Sequence, residues 1–256
     1  MQAGNTFRGV TSLQLEVKAI TPVASARAEA LRRPDGAPEQ EALLNALLDA
    51  FALQAGNAVP DTESIQEADW DALGAALVGS PRGHLLISRT HETALRALAL
   101  GDMDVCAHAP DDPRGFATLL TAPVLSLCGG HWRHVWLLDG EALPNEAALW
   151  RTRLPEAQVR VLAQTASLRA LARAVDAGDA NYRVLYKALR TGVFRSLRQL
   201  ADAAQLTDAQ TRAGLNAFSQ LGLIDFTESP FRYALRPAQK CALGDSPVLG
   251  ALRRLA

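Results

Sequence analysis

Five cations at the start of the C-terminal half carry the clearest chemical pattern in the chain. Arg183, Lys187 and Arg190 recur at i, i+4 and i+7, which puts all three on one face of a helix. Arg195 and Arg198 follow just beyond. Such a row suits a solvated helix face, or a rim that docks an acidic peptide or a nucleic-acid backbone. Holding an acidic segment that ends in an apolar residue takes an apolar pocket beside the rim. Tyr186, Phe194 and Leu197 are the neighbours able to wall one. A second constellation, Cys128-Gly-Gly-His131-Trp-Arg-His134, has the residue types of a zinc site. Zinc takes four protein ligands, or three with an open position, and this stretch supplies one Cys and two His. Cys106 and His108 would complete it only if their strand lay alongside, so core and strand-end roles explain these residues better. Ser88-Arg-Thr-His91 has no glycine with which to cradle a phosphate. Asp111-Asp112 opens a short helix, where carboxylates meet the positive end of the helix dipole. No dense Asp/His cluster suits a two-metal nuclease, and the chain reads as non-catalytic.

The elements that must position these residues follow from hydrophobic period. Leu13, Leu15 and Val17 alternate with polar residues, which predicts a half-buried strand over residues 13–20. Residues 22–37 carry Pro and Gly punctuation and read as a linker. Pro38 suits the first turn of a helix through about Gly56, with Leu43, Leu44, Leu47, Leu48 and Phe51 as its apolar stripe. A second helix is expected over 67–78. Strands are expected at 84–88, 104–108, 124–128 and 134–138, with helices at 91–99, capped by Thr90, and at 111–119. Short apolar strands alternating with helices imply a small, mostly parallel sheet with flanking helices. A long helix is expected from Pro155, followed by helices at about 180–191, 196–205 and 208–221. Thr207 with Gln210 forms a capping box before the last of these, and Gly222 ends it. Two strands around Glu228-Ser-Pro230 then complete a winged-helix-like subdomain. In that plan the third helix reads DNA, yet its expected exposed face is Asp208, Gln210, Thr211, Arg212, Asn216 and Ser219. One Arg behind a leading Asp is poor equipment for phosphate contact.

The chain therefore divides into residues 1–21, the linker 22–37, an α/β subdomain 38–154 and a winged-helix-like subdomain 155–256. Charge divides with it. Residues 1–150 hold 10 Lys and Arg against 19 Asp and Glu, while residues 151–256 hold 16 against 8. The resulting balances of −9 and +8 leave the C-terminal half suited to an anionic partner. Hydrophobic residues at 48% exclude a disordered or collagen-like chain, and no apolar run nears the ~18–20 residues of a membrane span. Three scattered cysteines and the lack of a basic-then-apolar N-terminus fit a reducing, cytoplasmic setting.

The order of several motifs resembles a known family. Asn5-x-Phe7-x-Gly9, followed by Leu13-Gln14-Leu15-x-Val17-x-x-Ile20, is similar to the closing strands of the OB-fold in RecJ-type exonucleases. Gly83-His-Leu-Leu-Ile-Ser88 with Glu92-Thr-Ala-Leu95 resembles the strand and helix that follow in members carrying an extra C-terminal domain. Asp112-Pro-Arg-Gly-Phe116, Tyr182 to Arg190, Leu221-Gly-Leu-Ile224 and Lys240-x-x-Leu243-x-x-Ser246-Pro247 continue the order over nearly the whole chain. Ala19 stands where the family commonly has Asp, and Leu13 where it commonly has Pro. The family's Asp-His-His metal motif is absent from this sequence. The resemblance implies a parent enzyme that degrades single-stranded DNA from its 5′ end with Mn2+ or Mg2+ in repair and recombination. This chain would be its non-catalytic C-terminal part, without a cofactor of its own. It would dock the acidic tail of the single-stranded-DNA-binding protein, or a helicase or translocase, through Arg183, Lys187, Arg190, Arg195 and Arg198. In the alternative, the basic half holds single-stranded DNA for the nuclease, although 5% aromatic residues is little for a base-stacking groove. A small α/β enzyme working alone is the third reading.

Overall fold

The computed structural model describes residues 4–7, 10–13, 37–56, 65–80, 82–106, 116–121, 123–237 and 241–256. The chain forms two compact units, residues 1–32 and 33–256. In the first, strands β1 (Gly4–Phe7) and β2 (Val10–Leu13) pair antiparallel, with Gly4 opposite Leu13. The expected strand beyond Leu13 and the linker up to residue 36 lie outside the described residues.

The second unit is built on six strands. They are β3 (Gln66–Glu67), β4 (His84–Ser88), β5 (Met103–Cys106), β6 (Ala117–Thr121), β7 (His134–Leu137) and β8 (Gln158–Val161). They lie in the order β3-β8-β7-β4-β6-β5, and every pairing is parallel. Central strands of a parallel sheet are covered on both faces, so their sequences run apolar without a strict period. All five residues of β4 are buried for this reason. Leu85, Ile87, Leu120, Val135, Leu137 and Val159 belong to one continuous core. That core also takes in the apolar stripe of helix α1 (Ala37–Gly56). His84, Leu86 and Trp136 alternate with these along β4 and β7 and so point to the opposite face. Helix α2 (Trp70–Gly79), N-capped by Asp69, and helix α3 (His91–Leu98), N-capped by Thr90, follow β3 and β4. Helix α3 packs on β4 and β6.

Three local expectations need correction. Residues 117–121 form β6 rather than the end of a helix, because Ala117 to Leu120 are buried throughout and pair with strands on both sides. The start of that expected helix, at 111–115, lies outside the described residues. Residues 125–127 form a 3-10 turn rather than a strand: Leu125 and Cys128 point inward three residues apart while Leu127 is exposed. Pro155 does not begin a helix. Helix α4 (Glu146–Arg153) ends before it, and the chain re-enters the sheet as β8.

Helix α5 (Ala166–Val175) is capped by Thr165. Helices α6 (Gly178–Thr191), α7 (Leu197–Ala204) and α8 (Asp208–Gln220) follow. The Thr207–Gln210 capping box opens α8 as the sequence predicts, and Gly222 sits at φ 68° beyond its end. Strands β9 (Ile224–Thr227) and β10 (Arg232–Leu235) form an antiparallel hairpin. Helix α9 (Pro247–Leu255) closes the chain on α5 and α8. Leu168, Leu185, Leu200, Leu215, Phe218 and Leu252 join the core shared with α1 and the sheet. The expected join at 154/155 therefore falls inside one compact unit. No helix among the described residues is long and apolar enough to cross a membrane.

Candidate functional site

Helix α6 carries the row of cations, and its sequence explains the orientation. Tyr182, Leu185 and Leu189 recur at i, i+3 and i+7 and are buried, which turns Arg183, Lys187 and Arg190 outward. At ~1.5 Å rise per residue the three cations are spaced about 6 and 4.5 Å along the helix axis. Tyr186 lies on the seam between the two faces and is half-buried.

A groove of about 880 Å³ runs along this seam. Arg183, Lys187 and Arg190 line it together with Tyr182, Tyr186, Phe218, Leu223 and Leu243. Its apolar floor depends on close approach of α6 to α8. A Cβ on Gly214 would come within 2.6 Å of Leu185 Cδ2 and 2.8 Å of Tyr182 Cδ1, so only glycine lets the two helices meet here. The Tyr186 and Phe218 rings then meet edge to face at 5.2 Å. The Tyr182 hydroxyl accepts from Ala177 N (3.1 Å) and donates to Val175 O (3.4 Å). Burial, opposed by the Ala177 bond and reinforced by nearby Asp176, pushes its pKa well above the ordinary phenol value.

Among the described residues, none of Arg183, Lys187 and Arg190 has an acidic partner. Three unpaired cations beside aromatic surface can take a carboxylate-rich segment whose apolar residue enters the groove. Near the start of α6 the lining carries a different arrangement, in which Arg253 on α9 bonds Asp176 and Asp179.

The other two expected rim residues lie elsewhere. Arg195 is exposed and outside the groove lining. Arg198 pairs with Asp202 at 3.2 Å and reaches to 3.7 Å from Asp208. Tyr186 walls the groove as expected, whereas Phe194 and Leu197 pack half-buried on the core.

Of the six residues expected on the exposed face of α8, only Ser219 is exposed. Thr211 is fully buried. Arg212 pairs with Glu41 of α1, donates to Asn45 Oδ1 at 2.9 Å and lies 3.0 Å from Glu228 of the hairpin. Helix α1 therefore engages part of the face that the sequence alone left open.

Open α/β sheets commonly bind ligands where the strand order reverses, outside the strand ends. Here that place is between β4 and β7, and it is filled. Asp139 accepts from Arg89 N (2.7 Å) and from the hydroxyls of Thr90, Thr93 and Thr165 (2.8–2.9 Å). Arg89 pairs with Glu146 at 2.6 Å, both side chains being 1% exposed. Glu146 also accepts from Ala142 N and Leu143 N. The residues of the zinc-like stretch diverge. The Cys128 thiol faces Val124 O, His131 lies 3.9 Å from Glu156, and His134 packs against His84. Among the described residues, no group of three or more His, Cys, Asp or Glu is placed to hold a metal.

Sequence reasoning missed Tyr182, Phe218, Asp179 and Arg253. Tyr182 was readable, since it precedes Tyr186 by one helical turn. Arg253 was not, because it lies 63 positions beyond Arg190 and only the packing of α9 brings it to the groove. No family model, curated protein or solved structure matches the chain significantly.

Proposed function

We propose that this chain is a protein-docking module that captures an acidic, apolar-ended peptide segment in the α6 groove. The observation that carries the reading is a row of three cations along an apolar floor, none with an acidic partner among the described residues. Each half of such a ligand meets its complement: carboxylates face Arg183, Lys187 and Arg190, and the apolar residue faces Tyr186 and Phe218. The motif order that resembles RecJ-type exonucleases extends the proposal. The chain would be the accessory C-terminal region of such a nuclease, and the tail of the single-stranded-DNA-binding protein would be the segment captured. Helices α6 to α8 followed by the β9–β10 hairpin support a winged-helix-like subdomain in the same reading. The part of the α8 face engaged through Arg212 argues against its use to read DNA.

The test is fluorescence anisotropy with a labelled peptide of four aspartates ending in phenylalanine, titrated with the full chain. Saturable micromolar binding is expected, weakened at least about tenfold by the double variant K187E/R190E. Equal affinity for wild type and the double variant would refute the site. Tighter, steeply salt-dependent binding of a single-stranded oligonucleotide would favour the DNA-holding alternative.

A further inference from the structure

Arg253 reaches the groove from α9 and meets the first turn of α6, and its two contacts are unlike. Its Nε lies 3.0 Å from Asp176 Oδ2, and its Nη2 lies 2.5 Å from Asp179 Oδ1. Asp176 is largely buried, at 15% side-chain exposure, and its other oxygen accepts from Gly178 N at 3.0 Å. Backbone and burial both hold that carboxylate in place. Asp179 is 50% exposed and, among the described residues, has Arg253 as its only ion-pair partner. Arg253 is thus anchored by Asp176 whether or not Asp179 stays. Nη1 points toward Gly244, where a Cβ would stand 3.4 Å away. Gly244 and Arg253 both line the groove, and the glycine sets no side chain against Nη1.

We infer that Arg253 is a fourth, masked cation of the groove: a ligand carboxylate takes its Nη1–Nη2 edge by displacing Asp179, which acts as an internal competitor. The inference rests on the docking reading above. Its physical basis is an exchange of unequal contacts. The Asp179 bond is a single-contact, half-exposed ion pair, a class that contributes little. An incoming carboxylate can bridge both Nη atoms, and the fork-to-fork geometry is the stronger arrangement. Asp179 then sets how acidic a segment must be before it binds. A weakly acidic peptide leaves Asp179 in place and meets three cations, while a strongly acidic one meets four.

The experiment uses the same labelled peptide and the full chain carrying D179N. D202N is the control, because Asp202 is also exposed and ion-paired but lies outside the groove, and it changes net charge equally. D179N is expected to tighten binding about two- to fivefold, with D202N close to wild type. Adding R253Q should erase the gain from D179N; R253K, which keeps the charge but not the fork, serves should R253Q fail to fold. Peptide binding with D179N equal to wild type, or with D179N and D202N shifted alike, overturns this inference and leaves the docking site standing. A wild-type chain that binds no acidic peptide overturns both.

Discussion

Acidification below pH 6.5 should destabilise this protein through His84. His84 opens β4, is 3% exposed, and accepts a hydrogen bond at Nδ1 from Trp136 Nε1 at 3.0 Å. Its ring centre is 4.6 Å from that of His134, and the Arg160 guanidinium stands 4.7 Å over the Trp136 ring. Protonation at Nδ1 would oppose two donors and add charge to an already cationic, buried cluster. Burial first, then His134 and Arg160, lower its pKa from 6.5 to about 4, and a backbone bond at Ser80 offsets this only in part. The unfolded chain binds this proton near pH 6.5 and the folded chain only near pH 4, so stability rises with pH across that window. The contribution is complete above pH 6.5 and is lost as pH falls toward 4. By pH 5 the loss is about 2 kcal/mol, from ~1.4 kcal/mol per pKa unit. For a unit of this size that is a fall in Tm of about 4–8 °C. His134, whose pKa is also lowered by burial and by Arg160 and Arg133, adds with the same sign. Urea unfolding at pH 7.5, 6 and 5 and constant ionic strength measures the slope. H84Q, whose amide oxygen still accepts from Trp136, should flatten it. Parallel pH curves for wild type and H84Q, or a His84 titration midpoint near 6.5 by NMR, would refute the reasoning.

Two further substitutions test the scaffold that positions the groove. E146A leaves the buried Arg89 guanidinium without its carboxylate, and urea unfolding should show a loss of about 3–5 kcal/mol; a loss below ~1 kcal/mol would mean that solvent reaches the pair. G214A forces a methyl against Leu185 and Tyr182, and should cost about 1–3 kcal/mol while weakening peptide binding by spreading α6 from α8; unchanged stability and affinity would show that the two helices are not in close contact.

What could be read from the sequence was governed by neighbours along the chain. Thr90, Thr207 and Gln210 cap their helices as predicted, because a cap involves groups three residues apart. The exposed row on α6 was legible for the same reason: helical period alone fixes which side Arg183, Lys187 and Arg190 share. Period failed where burial was complete. Ala117 to Leu120 is buried on both faces, so nothing in its pattern separates a central parallel strand from a buried helix. The strand at Gln158–Val161 went unseen because its partners, Gln66–Glu67 and His134–Leu137, are distant in sequence. The site divides along the same line. Its cationic rim belongs to one helix and is written in the local spacing of that helix. Its floor and its fourth cation are assembled by packing: Gly214 admits α6 to α8, and α9 carries Arg253 to Asp179. Helix α1, through Glu41 and Arg212, engages part of a face that periodicity alone would leave open. Contacts between residues tens or hundreds of positions apart leave no trace in local spacing, because the side chains that make them are selected by shape and charge only once the core has brought their elements together.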